Sequence, residues 1–141
     1  MNTTERRIDR GVTLIELLVV MVILAMFATL VGSRVFKSVD RAKQVQAKAQ
    51  IQELESVLDM YRLDVGRYPS AAEGLQALRT KPQGVDSWDG PYLRKDLGLD
   101  PWGHAYVYRF PGQHGDFDLL ALGADGQEGG EGDAIDIVNW K

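Results

Sequence analysis

A single carboxylate, Glu16, stands in an otherwise uncharged apolar run, residues 12–32. A carboxylate in hydrocarbon costs roughly 2.5–3.5 kcal/mol by insertion scales, so it needs a cationic partner. No Lys, Arg or His lies inside the run. Hydrolysis of the bond between Gly11 and Val12 would create one, because the freed α-amine would lie four residues from Glu16, about one helical turn away. The amine could pair with Glu16 of its own chain or of a neighbour. The residues alone also allow an isolated Glu16 that reaches back to the near interface.

The second chemical feature is the stretch LGADGQEGGEGDAID, residues 122–136, in which Asp125, Glu128, Glu131, Asp133 and Asp136 concentrate negative charge among glycines. Carboxylates together with backbone carbonyls are the donors Ca²⁺ prefers, in sets of about 6–8 oxygens. The spacing matches an EF-hand loop only at Asp125, Gly130 and Asp136, and flanking helices are absent from the pattern. A solvated acidic turn is the other reading, and the residues leave both open.

Other chemistries find little support. The chain has no cysteine, which excludes disulfides, thiol catalysis and Cys-ligated zinc. Its formal charge of −4 argues against a nucleic-acid partner, for which a basic surface is usual. No nucleophile–base pair suggests an enzyme. Trp88, Trp102 and Trp140 read as core and turn packing, and His104 and His114 as surface turn residues.

The elements that must position these groups follow from periodicity. Residues 12–32 would form roughly 30 Å of helix, about one hydrocarbon core. With 141 residues in all, the rest of the chain is too small to wrap such a helix as a soluble core. No Ala-x-Ala-like site follows it, so a retained membrane helix fits better than a cleaved secretory signal. Ala47, Ile51, Leu54, Leu58, Tyr61 and Val65 continue as one apolar stripe, residues 33–66 being the amphipathic half of the same helix. Gly66 is its expected stop, and Gly32-Ser33 the expected place of a bend or local melting. Charge alone leans the wrong way for export, since Arg34, Lys37, Arg41, Lys43 and Lys48 outnumber the arginines of the leader.

Residues 67–141 read as a head. The pattern Ser70-x-x-Glu73 is a capping box, predicting a short α-helix over 71–80 that ends before Pro82. Asp100-Pro101-Trp102-Gly103 suits a type I turn. Strands are expected at 105–110, at 117–122 by alternation, and at 135–140. The fold class is α+β: a long N-terminal helix packed against a small antiparallel sheet.

The segment from Gly11 to Leu17, GVTLIEL, preceded by a basic leader, resembles the cleavage and methylation signal of type IV pilin-like proteins, with Val standing where that family usually has Phe or Met. The resemblance implies that a membrane-embedded prepilin peptidase removes residues 1–11 and N-methylates Val12, and that Glu16 serves assembly. Further along, YRLDVGRYPSAAEGLQAL, DPWG, GADG and the Asp136-Ile137…Asn139-Trp140 ending resemble the major pseudopilins of the type II secretion system. That resemblance implies a helical homopolymer with minor pseudopilins, an inner-membrane platform and its ATPase, and a filament whose growth helps move folded proteins through an outer-membrane secretin. It places residues 12–32 in inner-membrane lipid and the head in the periplasm. It also implies Ca²⁺ in the acidic loop, held by the Leu122 carbonyl and the Asp125 side chain. Some relatives have Asp where Gly132 stands, so a further carboxylate falls to Asp133, with Glu131 or Asp136 as substitutes and a carbonyl near Gly130. A pilin of a surface or DNA-uptake pilus, or a membrane-tethered calcium-binding module that never polymerises, are the alternatives.

Overall fold

The computed structural model describes residues 11–141, with the side chains of residues 29–37 excepted. Residues 1–10, nearly all of the expected leader, lie outside the described residues, and the bend expected at Gly32-Ser33 falls among the undescribed side chains. The chain divides into two compact units, Met1–Ser38 and Val39–Lys141. One helix, α1 (Leu14–Val65), contributes to both.

In the first unit, α1 opens with a cap. The amide of Glu16 donates to Thr13 Oγ1 at 3.3 Å, so Thr13 is the N-cap and Glu16 lies in the first turn. Thr13-x-x-Glu16 is the same pattern as the capping box further along. The apolar side chains that follow are bare: Leu14 is 83% exposed, Met21 70% and Phe27 61%. A stripe so uncovered needs lipid or other helices against it.

In the second unit, the predicted stripe is buried as expected. Ala47, Ile51, Leu54, Leu58 and Tyr61 are each at most 2% exposed, and Val65 packs at the edge. The step of three and four residues keeps them on one face of α1. Tyr68, Leu78, Phe117, Leu119 and Ala121 close over that face. The last turn of α1 ends where the amide of Gly66 donates to Arg62 O at 2.8 Å.

The capping box forms with both of its bonds. The Glu73 amide donates to Ser70 Oγ (3.3 Å) and the Ser70 amide to Glu73 Oε2 (2.6 Å). The α-helix expected over 71–80 does not follow. A 3₁₀ helix, Gly74–Leu78, takes its place. Gly74 sits at φ +57°, the left-handed region that an α-helix cannot continue through.

Three antiparallel strands form the sheet, in the order β1 (Val107–Arg109), β2 (Asp118–Ala121), β3 (Ile137–Val138). Val107 pairs with Leu120, and Ala121 with Ile137. All three strands are shorter than expected. The alternation expected in β2 is also absent, because all four of its residues are buried. It is the central strand, and Asp118 enters the interior because it is satisfied there. Its carboxylate accepts from the amides of Gln113 and His114 (both 3.0 Å) and from His114 Nδ1 (3.1 Å). Burial pushes the carboxyl up, but those donors outweigh it and hold it below the usual range.

Candidate functional site

The β2–β3 pairing positions the acidic loop. With Ala121 opposite Ile137, the antiparallel register brings Leu122 and Asp136, the two ends of the loop, to the same edge of the sheet. A bond from the Ala124 amide to Asp133 O (3.0 Å) closes the interior, and a second 3₁₀ helix, Gly132–Ala134, leads back to β3. Gln44 on α1 donates through Nε2 to Gly132 O at 3.1 Å, tying the loop to the helix. Arg109 on β1 forms an ion pair with Glu128.

The expected ligands are distributed unevenly. Leu122 is half-buried, and its carbonyl faces His104 Nδ1 at 3.0 Å. Asp125 is exposed and caps its own turn, with Oδ1 accepting from the Gln127 amide at 3.1 Å. Asp136 Oδ2 accepts from the Gly129 amide at 2.8 Å, whereas its Oδ1 is buried without a partner. Gly130, Glu131 and Asp133 are exposed. Among the described residues no group of three or more His, Asp or Glu side chains converges to hold a metal. An ion here would therefore draw on backbone carbonyls as much as on carboxylates. The donor chemistry suits a hard cation: every expected ligand is an oxygen, and the orphaned Asp136 Oδ1 is the kind of buried atom that such an ion would satisfy.

Sequence reasoning missed Gln44, Arg109 and His104, each of which meets the loop from far along the chain. It also read both histidines as surface turn residues. His104 is instead half-buried against the loop, and His114 is exposed but fixed between Asp118 and Trp140, whose ring it stacks on at 4.0 Å and 2°. Trp88 fulfils the packing expectation, with its indole N–H donating to Ala77 O at 2.8 Å.

At the other candidate site, Gly11 and Val12 are exposed and precede the first turn of α1. Glu16 is exposed one turn further on. Among the described residues no helix is long and apolar enough to cross a membrane. The apolar run of residues 12–32 ends among side chains outside that set.

An N-terminal helix with a bare apolar first stretch, and a head whose three-stranded antiparallel sheet covers the helix within it, define the pilin-like α+β class. Residues 34–140 match the family described as type II secretion system (T2SS), protein G. Residues 6–32 match the prokaryotic N-terminal methylation motif. The chain is 47% identical over 139 residues to type II secretion system core protein G of Pseudomonas aeruginosa, covering 96% of this chain and 98% of that one. It is 44% identical over 137 residues to the protein of the same name from Vibrio cholerae, covering 95% and 93%. Among solved structures it resembles the major pseudopilin from the type 2 secretion system of enterohaemorrhagic Escherichia coli, with a TM-score of 0.60 and 42% identity over 72% of this chain and 89% of that chain. The chain belongs to the type II secretion system protein G family.

Proposed function

We propose that this chain is a non-enzymatic structural subunit of the type II secretion pseudopilus. The observation that carries the reading is the juxtaposition of two matches, an N-terminal methylation motif over residues 6–32 and a protein G head over residues 34–140. The bare apolar side chains of α1 support it, because a single copy leaves them without cover.

In this reading a prepilin peptidase cuts after Gly11 and methylates Val12. Residues 12–32 hold the subunit in the inner membrane with the head in the periplasm. A platform and its ATPase add subunits, with minor pseudopilins, into a filament that helps move folded proteins through the secretin. Head-to-tail addition is a heterologous contact that does not close, which is how filaments arise. During addition, Glu16 pairs with the Val12 amine of a neighbour. Ca²⁺ in the loop of residues 122–136, held by the Leu122 carbonyl, Asp125 and carboxylates of the 131–136 arm, supplies the cross-link that cysteines supply elsewhere. The unpartnered Asp136 Oδ1 and the Ala121–Ile137 register, which brings the two ends of the loop together, support that part.

Electron microscopy of membranes from cells overexpressing the chain with its secretion system tests the reading. Filaments that react with antibody against the head are the expected result. A processed, membrane-bound chain that never polymerises would favour a tethered calcium-binding module instead.

A further inference from the structure

The turn at residues 100–104 packs against the start of the acidic loop, and its last residue meets that loop at two points. His104 Nδ1 lies 3.0 Å from Leu122 O. At the other edge of the ring, a Cβ built on Gly126 would stand 2.8 Å from Nε2 and 3.1 Å from Cε1. The imidazole therefore closes directly over the 123–126 turn, and only glycine, at φ +67°, fits beneath it. The ring's own backbone is held from below. Asp100, 5% exposed, accepts through Oδ1 from the amides of Trp102 (3.0 Å) and His104 (2.8 Å). Its Oδ2 is buried without a hydrogen-bond partner and faces Nδ1 from 3.8 Å.

We propose that His104 is a positioning residue for calcium, fixing the direction of the Leu122 carbonyl from outside the loop. The inference rests on the calcium reading above. A carbonyl acceptor at Nδ1 requires the hydrogen on that nitrogen, so the neutral ring is the Nδ1–H tautomer. A carbonyl oxygen has two lone pairs, so one can accept from Nδ1–H while the other faces a cation. The need for an external donor follows from the loop itself. Its own amides are turned elsewhere: the Ala124 amide donates to Asp133 O (3.0 Å) and the Gly126 amide to Gly123 O (3.4 Å), so among the described residues it is His104 Nδ1 that meets Leu122 O. Direct ligation by the ring is the poorer assignment, because Nδ1 is engaged and Ca²⁺ takes oxygen.

The test is calorimetric titration of CaCl₂ into the full chain in detergent micelles after chelator treatment and dialysis. Three proteins are compared: wild type, His104→Leu and His104→Asn. Leu fills space without donating, whereas Asn offers an amide N–H. His104→Leu is expected to weaken calcium binding by about 10–100-fold, the usual effect of removing a group that orients a ligand. His104→Asn is expected to recover most of that loss. In chelator, where no ion is bound, His104→Leu should melt a few degrees lower from loss of the bond to Leu122 O, and His104→Asn closer to wild type. Unchanged affinity in His104→Leu overturns the inference while leaving the calcium reading in place. Wild type that binds no calcium removes the reading and the inference together. If His104→Leu fails to fold, His104→Asn decides: near-wild-type affinity upholds the donor role, and affinity lost in a folded variant overturns it.

Discussion

Arg67 and Glu73 grip each other through two parallel hydrogen bonds, Nη1 to Oε2 at 2.6 Å and Nη2 to Oε1 at 2.7 Å. Glu73 simultaneously closes the capping box with Ser70. The same carboxylate thus ties Arg67, two residues past the end of α1, to the turn that opens at Ser70.

That arrangement makes stability depend on pH. The Arg67 hydrogen bond is the largest influence on Glu73; burial opposes it, and Ser70 adds to it, so the carboxyl is held down from an ordinary 4.5 to about 2. A depressed carboxylate contributes stability that is fully present above its unfolded value. That contribution is lost as pH falls from about 5 to about 2. Arg67 is 44% exposed at its side chain, and screening reduces the contribution to about 1–3 kcal/mol. Glu73→Gln should lower the urea midpoint at pH 7 by a corresponding amount and flatten the wild type's fall between pH 5 and 3. A variant whose pH profile parallels wild type would show that the pair contributes nothing.

The capping box also shows what the sequence could and could not disclose. Ser70-x-x-Glu73 is a local pattern, and both of its bonds form. The helix that should have followed fails at Gly74, whose composition carried the warning. Thr13-x-x-Glu16 is the same pattern, and it went unread because the apolar run around it dominated. The α1 stripe was legible for the opposite reason: six apolar residues in strict helical steps leave one interpretation. β2 was misread because alternation assumes one wet face, and both faces of β2 are covered. Asp118 at its start looked like a solvent position, and the amides of Gln113 and His114 in the preceding turn explain its burial. The contact between His104 and Leu122 spans eighteen residues, and no local pattern encodes a contact of that kind.

Two tyrosines with different hydroxyl environments should respond oppositely to loss of the oxygen. Tyr61 is fully buried, packs edge-on to Tyr92 at 5.6 Å, and has no partner for its hydroxyl. Tyr106 donates to Gln50 Oε1 at 2.6 Å. Tyr61→Phe should leave stability unchanged or raise it, since it removes an unsatisfied buried group. Tyr106→Phe should cost about 1 kcal/mol. Urea denaturation of both variants checks the pair, and an equal loss in each would contradict the assignment.

Processing should fall after Gly11. Intact-mass measurement of the membrane-extracted chain is expected to show loss of residues 1–11 and one added methyl on Val12. A secretion-competent chain that keeps its leader would exclude this role for Gly11 and Val12.

Glu16 should matter to assembly more than to insertion. Thr13 caps the first turn through its side chain and the Glu16 amide, so Glu16→Leu leaves that bond intact. The variant should insert as well as wild type or better, because an expensive charge is gone. It should nevertheless yield few filaments. Undiminished filaments would instead support a carboxylate that serves only itself at the interface.

Calcium should stabilise the head by mass action. An ion that binds only the folded state adds RT ln(1 + [L]/Kd), about 2.7 kcal/mol at a hundredfold excess over Kd. For a head of this size that corresponds to a melting shift on the order of 10 °C. Chelator should remove the shift in the full chain in micelles. Asp125 supplies the means to separate ion from turn. Its Oδ1 accepts from the Gln127 amide, and Asp125→Asn keeps that acceptor while removing the charge. In chelator the variant should melt like wild type. In calcium it should gain less, and the losses from chelator and substitution should not add, because both remove the same ion. A wild-type melting curve that ignores chelator would leave residues 122–136 as a solvated turn, closed by Ala124 and Asp133 alone.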